Sequence, residues 1–174
     1  MRLKSAVGAM KALTPSKILD ELRSLNITHI VWLPDTESRF LYDIVTLDPT
    51  IELVPVCREG EAIPIALGLL LGGQNPVCMI QNTGFYESGD SVRGLALELK
   101  LPLLLIIGYR GWNRLGQITD SAATFMEPIL NAWGIKHHLM ETDDDVGKIS
   151  VAYKEAQQTS KPVALLVGAE YQES

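Results

Sequence analysis

Residues 54–85 read VPVCREGEAIPIALGLLLGGQNPVCMIQNTGF. An apolar run leads into two acids, then a long apolar stretch, then a second apolar run that ends in amides. The outer runs, about Ile51–Val56 and Pro76–Gln81, are short, and the second is apolar without alternation, as expected of parallel strands covered on both faces. Between them the spacing predicts a helix beginning near Glu61. Negative charge in a first turn is stabilised by free backbone N–H groups and the helix dipole, by roughly 0.3–1 kcal/mol. The segment is therefore strand, helix, strand.

Working outward, four more apolar runs lie at about Thr28–Leu33, Pro102–Ile107, Lys136–Met140 and Val163–Val167. Helical spacing fills the gaps. Thr14 reads as an N-cap with Pro15 at the first helical position, opening a helix to about Leu25. Others are predicted over Thr36–Leu47, Ser88–Lys100, Ser121–Trp133 and Asp143–Thr159. Regular alternation predicts an α/β fold, an open six-stranded parallel sheet with helices on both faces, formed by a single domain over residues 1–174 with residues 1–14 as an N-terminal extension. Ligands in such sheets collect at the carboxyl ends of the strands. That directs attention to LPDTESR, VCREGE, IQNTGFYES and GYRGWN, which follow the first four strands.

The 174 residues are 47% hydrophobic and 21% charged, with a net charge of −6, so the overall field repels phosphate backbones and nucleic acid is not an expected partner. The longest apolar runs, Ile63–Leu71 and Leu101–Ile107, fall short of the roughly 18–20 residues that cross a bilayer. With no continuous apolar segment near the amino terminus either, a cytoplasmic location without membrane contact is expected. Cys57 and Cys78 both fall near predicted strands and read as core thiols.

Several familiar chemistries are disfavoured by the pattern. No Gly-x-Gly-x-x-Gly follows the first strand, and neither a phosphate loop of the Gly-x-x-x-x-Gly-Lys type nor a Gly-x-Ser-x-Gly elbow occurs. His137 and His138 are neighbours in a predicted strand and point to opposite faces, which argues against joint metal ligation. The acids of ETDDD, Glu141–Asp145, read as helix capping behind Thr142. What remains is Glu59. Pro64 lacks an N–H, which predicts that the helix does not begin much before Gly60 or Glu61 and leaves Glu59 at the strand-to-helix junction, able to face the cleft. From spacing alone, both a catalytic and a helix-starting role stay open for it.

VPVCREGEAIPIALGLLLGGQNPVCMIQNTGF followed by LPLLLIIGYRG resembles the pyrimidine-binding domain of thiamine diphosphate-dependent 2-oxoacid decarboxylases, particularly sulfopyruvate and phosphonopyruvate decarboxylases. The resemblance implies that Glu59 hydrogen-bonds N1′ of the cofactor's aminopyrimidine and is the catalytic acid. It further implies that Asp35, Thr36, Gln81, Asn82, Thr83, Gly84 and Phe85 line the cofactor and that Arg110 meets the substrate. Tyr86 and Glu87 depart from the family pattern, and an extra acid near the cleft disfavours a dianionic substrate unless Arg110 or Arg93 offsets it. The only Gly-Asp pair, Gly89-Asp90, reads as capping and not as a magnesium motif. The expected partner is therefore a pyrophosphate-binding beta subunit, whose Gly-Asp-Gly motif holds Mg2+, in a hetero-oligomer with paired alpha subunits. The implied activity is decarboxylation of a small 2-oxoacid. A carboligase subunit resembling acetolactate synthase and a non-catalytic regulatory or assembly module are the alternatives.

Overall fold

A computed structural model describes residues 13–36, 38–113 and 117–168; the expected extension, residues 1–14, lies outside the described residues except for Leu13 and Thr14. Six strands, β1 His29–Trp32, β2 Glu52–Pro55, β3 Pro76–Gln81, β4 Leu104–Gly108, β5 Lys136–Met140 and β6 Val163–Val167, pair in the order β2-β1-β3-β4-β6-β5. Every pairing is parallel, as the unalternated apolar runs predict. Strand periodicity divides the core in two. Ile30, Trp32, Met79, Ile106 and Leu165 face α1 (Pro15–Ser24), α2 (Tyr42–Thr46) and α7 (Lys148–Thr159). Their neighbours Val31, Cys78, Ile80, Leu105 and Leu166 face α3 (Glu59–Leu71), α4 (Asn82–Glu87) and α6 (Ser121–Ala132). Full burial of such side chains contributes roughly 1.5–3 kcal/mol each, which is why β3, β4 and β6 carry almost unbroken apolar sequence. Among the described residues no helix is long and apolar enough to cross a membrane.

The helices depart from expectation where distant partners intervene. The predicted Thr36–Leu47 helix is a 3-10 turn, Arg39–Leu41, followed by the short α2. Asp35 accepts a hydrogen bond from the Ser38 N–H (2.8 Å), tying the chain into a turn ahead of it. The helix predicted from Ser88 begins six residues earlier, at Asn82 directly after β3, and proceeds through α4, α5 (Gly89–Ser91) and a π-helical stretch, Val92–Leu97. The Asn82 side chain explains the early start, since it both accepts from Thr83 N–H (3.0 Å) and donates to the Arg110 carbonyl (2.9 Å). Thr14 is the N-cap of α1 by backbone, but its hydroxyl donates to Asp143 (2.8 Å) rather than capping its own helix. Thr142 caps as expected, in a reciprocal box with Asp145 on a 3-10 turn, Asp143–Asp145, ahead of α7. Cys78 is buried as expected, whereas Cys57 is exposed because β2 is an edge strand that ends at Pro55.

Strand order sets the position of any ligand. From β1 the chain crosses to β2 on one side and then to β3 on the other, so the strand order reverses between β1 and β3. A crevice opens at the carboxyl edge where such a reversal occurs.

Candidate functional site

Four segments singled out in the sequence follow β2, β1, β3 and β4, which are consecutive neighbours in the sheet. Their residues therefore share one edge. After β1, an open cleft of about 630 Å³ is lined by Pro34, Asp35, Thr36, Arg39, Tyr42 and Asp43. After β2, the backbone of Arg58 is extended and α3 begins at Glu59. Glu59 is thus the first helical residue, at the strand-to-helix junction as expected. A start one residue ahead of Gly60 agrees with the reading from Pro64, and the carbonyl that Pro64 leaves open finds a non-local donor. Pro64 has no N–H to offer the Gly60 carbonyl four residues earlier, and the Ser91 hydroxyl donates to that carbonyl instead (3.4 Å).

Glu59 is half-buried, and its side chain lies against Gly84 of α4. A Cβ at Gly84 would stand 2.2 Å from Glu59 Cγ and 2.6 Å from its Cβ and Cδ, so only glycine admits this approach. Among the described residues no donor hydrogen-bonds or ion-pairs with the Glu59 carboxylate, which sets it apart from its neighbours. Glu87 pairs with Arg58 Nη2 (2.6 Å) and accepts from the Gly60 N–H. Asp120 caps α6 through the Ala122 N–H (2.9 Å) and pairs with Arg110 Nε (3.1 Å). That cap, opposed by partial desolvation and helped by Arg110, holds the Asp120 carboxyl below the usual range.

The remaining predicted residues divide by where they point. Gln81 accepts from the Thr83 hydroxyl (2.5 Å) at the end of β3. Asn82 is fully buried and ties α4 to the segment after β4. Phe85 is fully buried as well, its ring 5.7 Å from that of Trp133, so its side chain belongs to the core beneath the site. Asp35 and Thr36 line the β1 cleft. Arg110 is exposed and engaged by Asp120. Behind it Tyr109 stacks on Trp112 (centroids 5.2 Å apart, planes 4° from parallel) and donates to Glu127 (3.0 Å). Burial, with Glu127 nearby, pushes the Tyr109 phenol well above its ordinary range.

Sequence reasoning missed the part played by Arg58, Glu87 and Ser91. Glu87 reads from sequence as an uncompensated acid, with Arg110 or Arg93 as the expected offset. In the fold Arg93 pairs with Asp90 (2.7 Å) and Glu98 (2.6 Å), Arg110 pairs with Asp120, and the offset for Glu87 comes from Arg58. The available signal was the spacing of Gly84, Glu87 and Ser91, which places them on one helical face, together with a carbonyl left open by Pro64.

No family model matches the chain. It is 30% identical over 159 residues to the sulfopyruvate decarboxylase subunit alpha of Methanocaldococcus jannaschii, an alignment covering 90% of this chain and 94% of that protein. With the sulfopyruvate decarboxylase subunit alpha of Methanococcus maripaludis the identity is 27%, over 84% of this chain and 89% of the relative. The phosphonopyruvate decarboxylase of Streptomyces viridochromogenes shares 29% identity over 90 residues, 52% of this chain and 23% of that longer protein.

Proposed function

The chain belongs to the sulfopyruvate decarboxylase alpha-subunit family, and from that premise we propose that it is the alpha subunit of a thiamine diphosphate-dependent decarboxylase acting on a small 2-oxoacid, with Glu59 as its catalytic residue. The observation that carries the role of Glu59 is a half-buried carboxylate without an internal partner, at the carboxyl edge beside the reversal of strand order. The half-buried carboxylates of Glu127, Glu141, Asp143, Asp145 and Glu155 are met by donors, whereas that of Glu59 is left to a ligand. Its surroundings fit an aminopyrimidine: an acceptor for N1′, a glycine in place of a side chain at Gly84, and the apolar first turns of α3 behind.

When bound, thiamine diphosphate supplies a cationic thiazolium ring that accepts the electrons left as carbon dioxide departs from a 2-oxoacid. With the cofactor in place, Glu59 would hold a proton at N1′ of its aminopyrimidine. Gly84 lets the Glu59 side chain lie directly against α4, and Asn82, bonded into the β4 segment, fixes the turn on which Gly84 sits. Asp35 and Thr36 line the β1 cleft, and Gln81 and Thr83 are bonded to each other at the end of β3. Arg110 keeps its terminal guanidinium nitrogens beyond the Asp120 contact for the substrate carboxylate.

The magnesium site belongs to a partner beta subunit in this reading. Gly89-Asp90 sits in the three-residue α5, which has no side-chain cap, and Asp90 pairs with Arg93 instead (2.7 Å). The name subunit alpha carried by two relatives supports a partner. Because Arg58 neutralises Glu87, the acid expected to repel a dianionic sulfonate does not stand alone, which supports a sulfopyruvate-like substrate.

The test is co-expression with a beta chain carrying Gly-Asp-Gly, followed by carbon dioxide release from sulfopyruvate and related 2-oxoacids with thiamine diphosphate and magnesium. The complex should turn over and the isolated chain should not. Glu59→Gln should lower kcat by about two to four orders of magnitude, the usual range for a group that moves a proton. A fully active Glu59→Gln complex would exclude the role.

A further inference from the structure

Gly60, the second residue of α3, is held from outside its own helix at both of its backbone groups. Its N–H donates to Glu87, and its carbonyl, which Pro64 leaves open, accepts from the Ser91 hydroxyl at 3.4 Å. The same Glu87 carboxylate receives Arg58 Nη2 at 2.6 Å through its other oxygen. One turn earlier on the same helical face, Gly84 abuts the Glu59 side chain. Gly84 thus meets Glu59, Glu87 holds Arg58 and Gly60 on either side of it, and Ser91 holds Gly60 as well. A carboxylate suits the central position because it accepts from an N–H and a guanidinium at once, and charged hydrogen bonds of this kind are shorter and stronger than neutral ones. Beside a helix N-terminus its negative charge is further favoured.

We propose that Glu87, backed by Ser91, is a positioning residue for Glu59: it locks the first turn of α3 so that the carboxylate keeps one orientation at the carboxyl edge. Nothing along α3 can substitute for it. The first N–H groups of a helix have no partner within the helix, and in this helix the proline also removes the donor for the Gly60 carbonyl. Without the grip the turn carrying Glu59 would fray. The effect on catalysis rests on the reading of Glu59 given above, whereas the grip itself does not.

The experiment has two readouts. In the isolated chain, amide hydrogen exchange followed by NMR should show Gly60 exchanging roughly tenfold or more faster in Glu87→Ala, the loss expected of a hydrogen bond to an ionised acceptor, with β3 amides unchanged. Glu87→Gln, which keeps an acceptor, should fall between the two and provides a variant that disturbs folding less. Glu98→Ala, an exposed acid after the π-helical stretch that pairs with Arg93 and not with α3, should change nothing. In the complex with its beta subunit, Glu87→Ala should lower kcat per bound cofactor about tenfold or more while KM for the 2-oxoacid stays within about twofold, because orientation is lost and not binding. Unchanged exchange at Gly60 would overturn the proposal. So would faster exchange with an unchanged kcat per bound cofactor, which would make the grip structural only. Glu59→Gln run alongside separates the two readings: if that variant is inactive and Glu87→Ala is not, only the positioning role falls, and if Glu59→Gln is active, the assignment of Glu59 falls with it.

Discussion

Replacing Gly84 by alanine puts two terms of opposite sign into one substitution. Within α4, alanine is the better helix former by about 1 kcal/mol. Its Cβ, however, would stand 2.2 Å from Glu59 Cγ and 2.6 Å from Glu59 Cβ and Cδ, where carbon atoms prefer about 3.5–4.0 Å. Rotating the glutamate about χ1 moves Cγ and Cδ but leaves Cβ where it is, so the first turn of α3 has to retreat by about 1 Å. Forcing an additional methyl into a packed contact costs about 1–3 kcal/mol, which leaves Gly84→Ala neutral to destabilised by about 2 kcal/mol. Gly68→Ala is the matched control. It lies in the exposed interior of α3 with no atom within 4 Å of its Cβ, so it should keep the propensity gain of about 1 kcal/mol. The gap between the variants is then the overpacking term, a difference in Tm of roughly 2–12 °C at about 2–4 °C per kcal/mol for a chain of this size. Thermal and urea unfolding of the isolated chain would measure it. In the assembled enzyme the displaced carboxylate should cost Gly84→Ala on the order of 100-fold in kcat, since an error of about 1 Å suffices for that. If Gly84→Ala raises Tm as much as Gly68→Ala does, the close approach of α4 to Glu59 is wrong, and the geometry of the site with it.

Two further outcomes follow from burial and charge. Burial alone would raise the Asp48 carboxyl, but hydrogen bonds from the Thr50 hydroxyl and N–H and from Arg23 reverse that and hold it low; at Asp143 the hydrogen bond from Lys17 is the largest cause, helped by Thr14 against burial. Both carboxyls are lowered on folding, so their stabilisation is complete above the unfolded value of about 4 and is lost as pH falls through the lower folded values. Asp48→Asn should therefore cost about 1–3 kcal/mol at neutral pH and flatten the decline in urea stability below about pH 4; a parallel decline in both proteins would show that Asp48 takes no part. A thiol reagent should modify one cysteine per native chain, the exposed Cys57, and two after denaturation, because Cys78 is buried and burial alone pushes its thiol far above the ordinary value. Reaction at both sites in the native chain would place Cys78 outside the core.

Much of the site was readable before the fold because the relevant physics is local. Glu59 stands out as an acid ahead of an apolar helix, and the amides after β3 stand out as polar groups closing an apolar strand. Their roles toward one another were not readable. Glu87 looks like an isolated charge until Arg58, twenty-nine positions earlier, is found beside it. Asn82 looks like part of a loop until its amide reaches the Arg110 carbonyl, twenty-eight positions later. Phe85 reads as a neighbour of the cofactor, yet its ring lies in the core against Trp133.

The sequence by itself determined the parallel sheet, since apolar runs without alternation can be buried only when helices cover both faces, and three of the strands, β3, β5 and β6, begin and end where the runs do. The tertiary structure decided where the helices start. A proline's missing N–H or an unpaired first turn can be answered by any donor or acceptor that the fold brings near, and here the answers come from Ser91 and Glu87, on a separate helical segment. A backbone group's need is written in the local sequence, but its partner is chosen by packing across the chain, and at α3 that choice sets the position of Glu59.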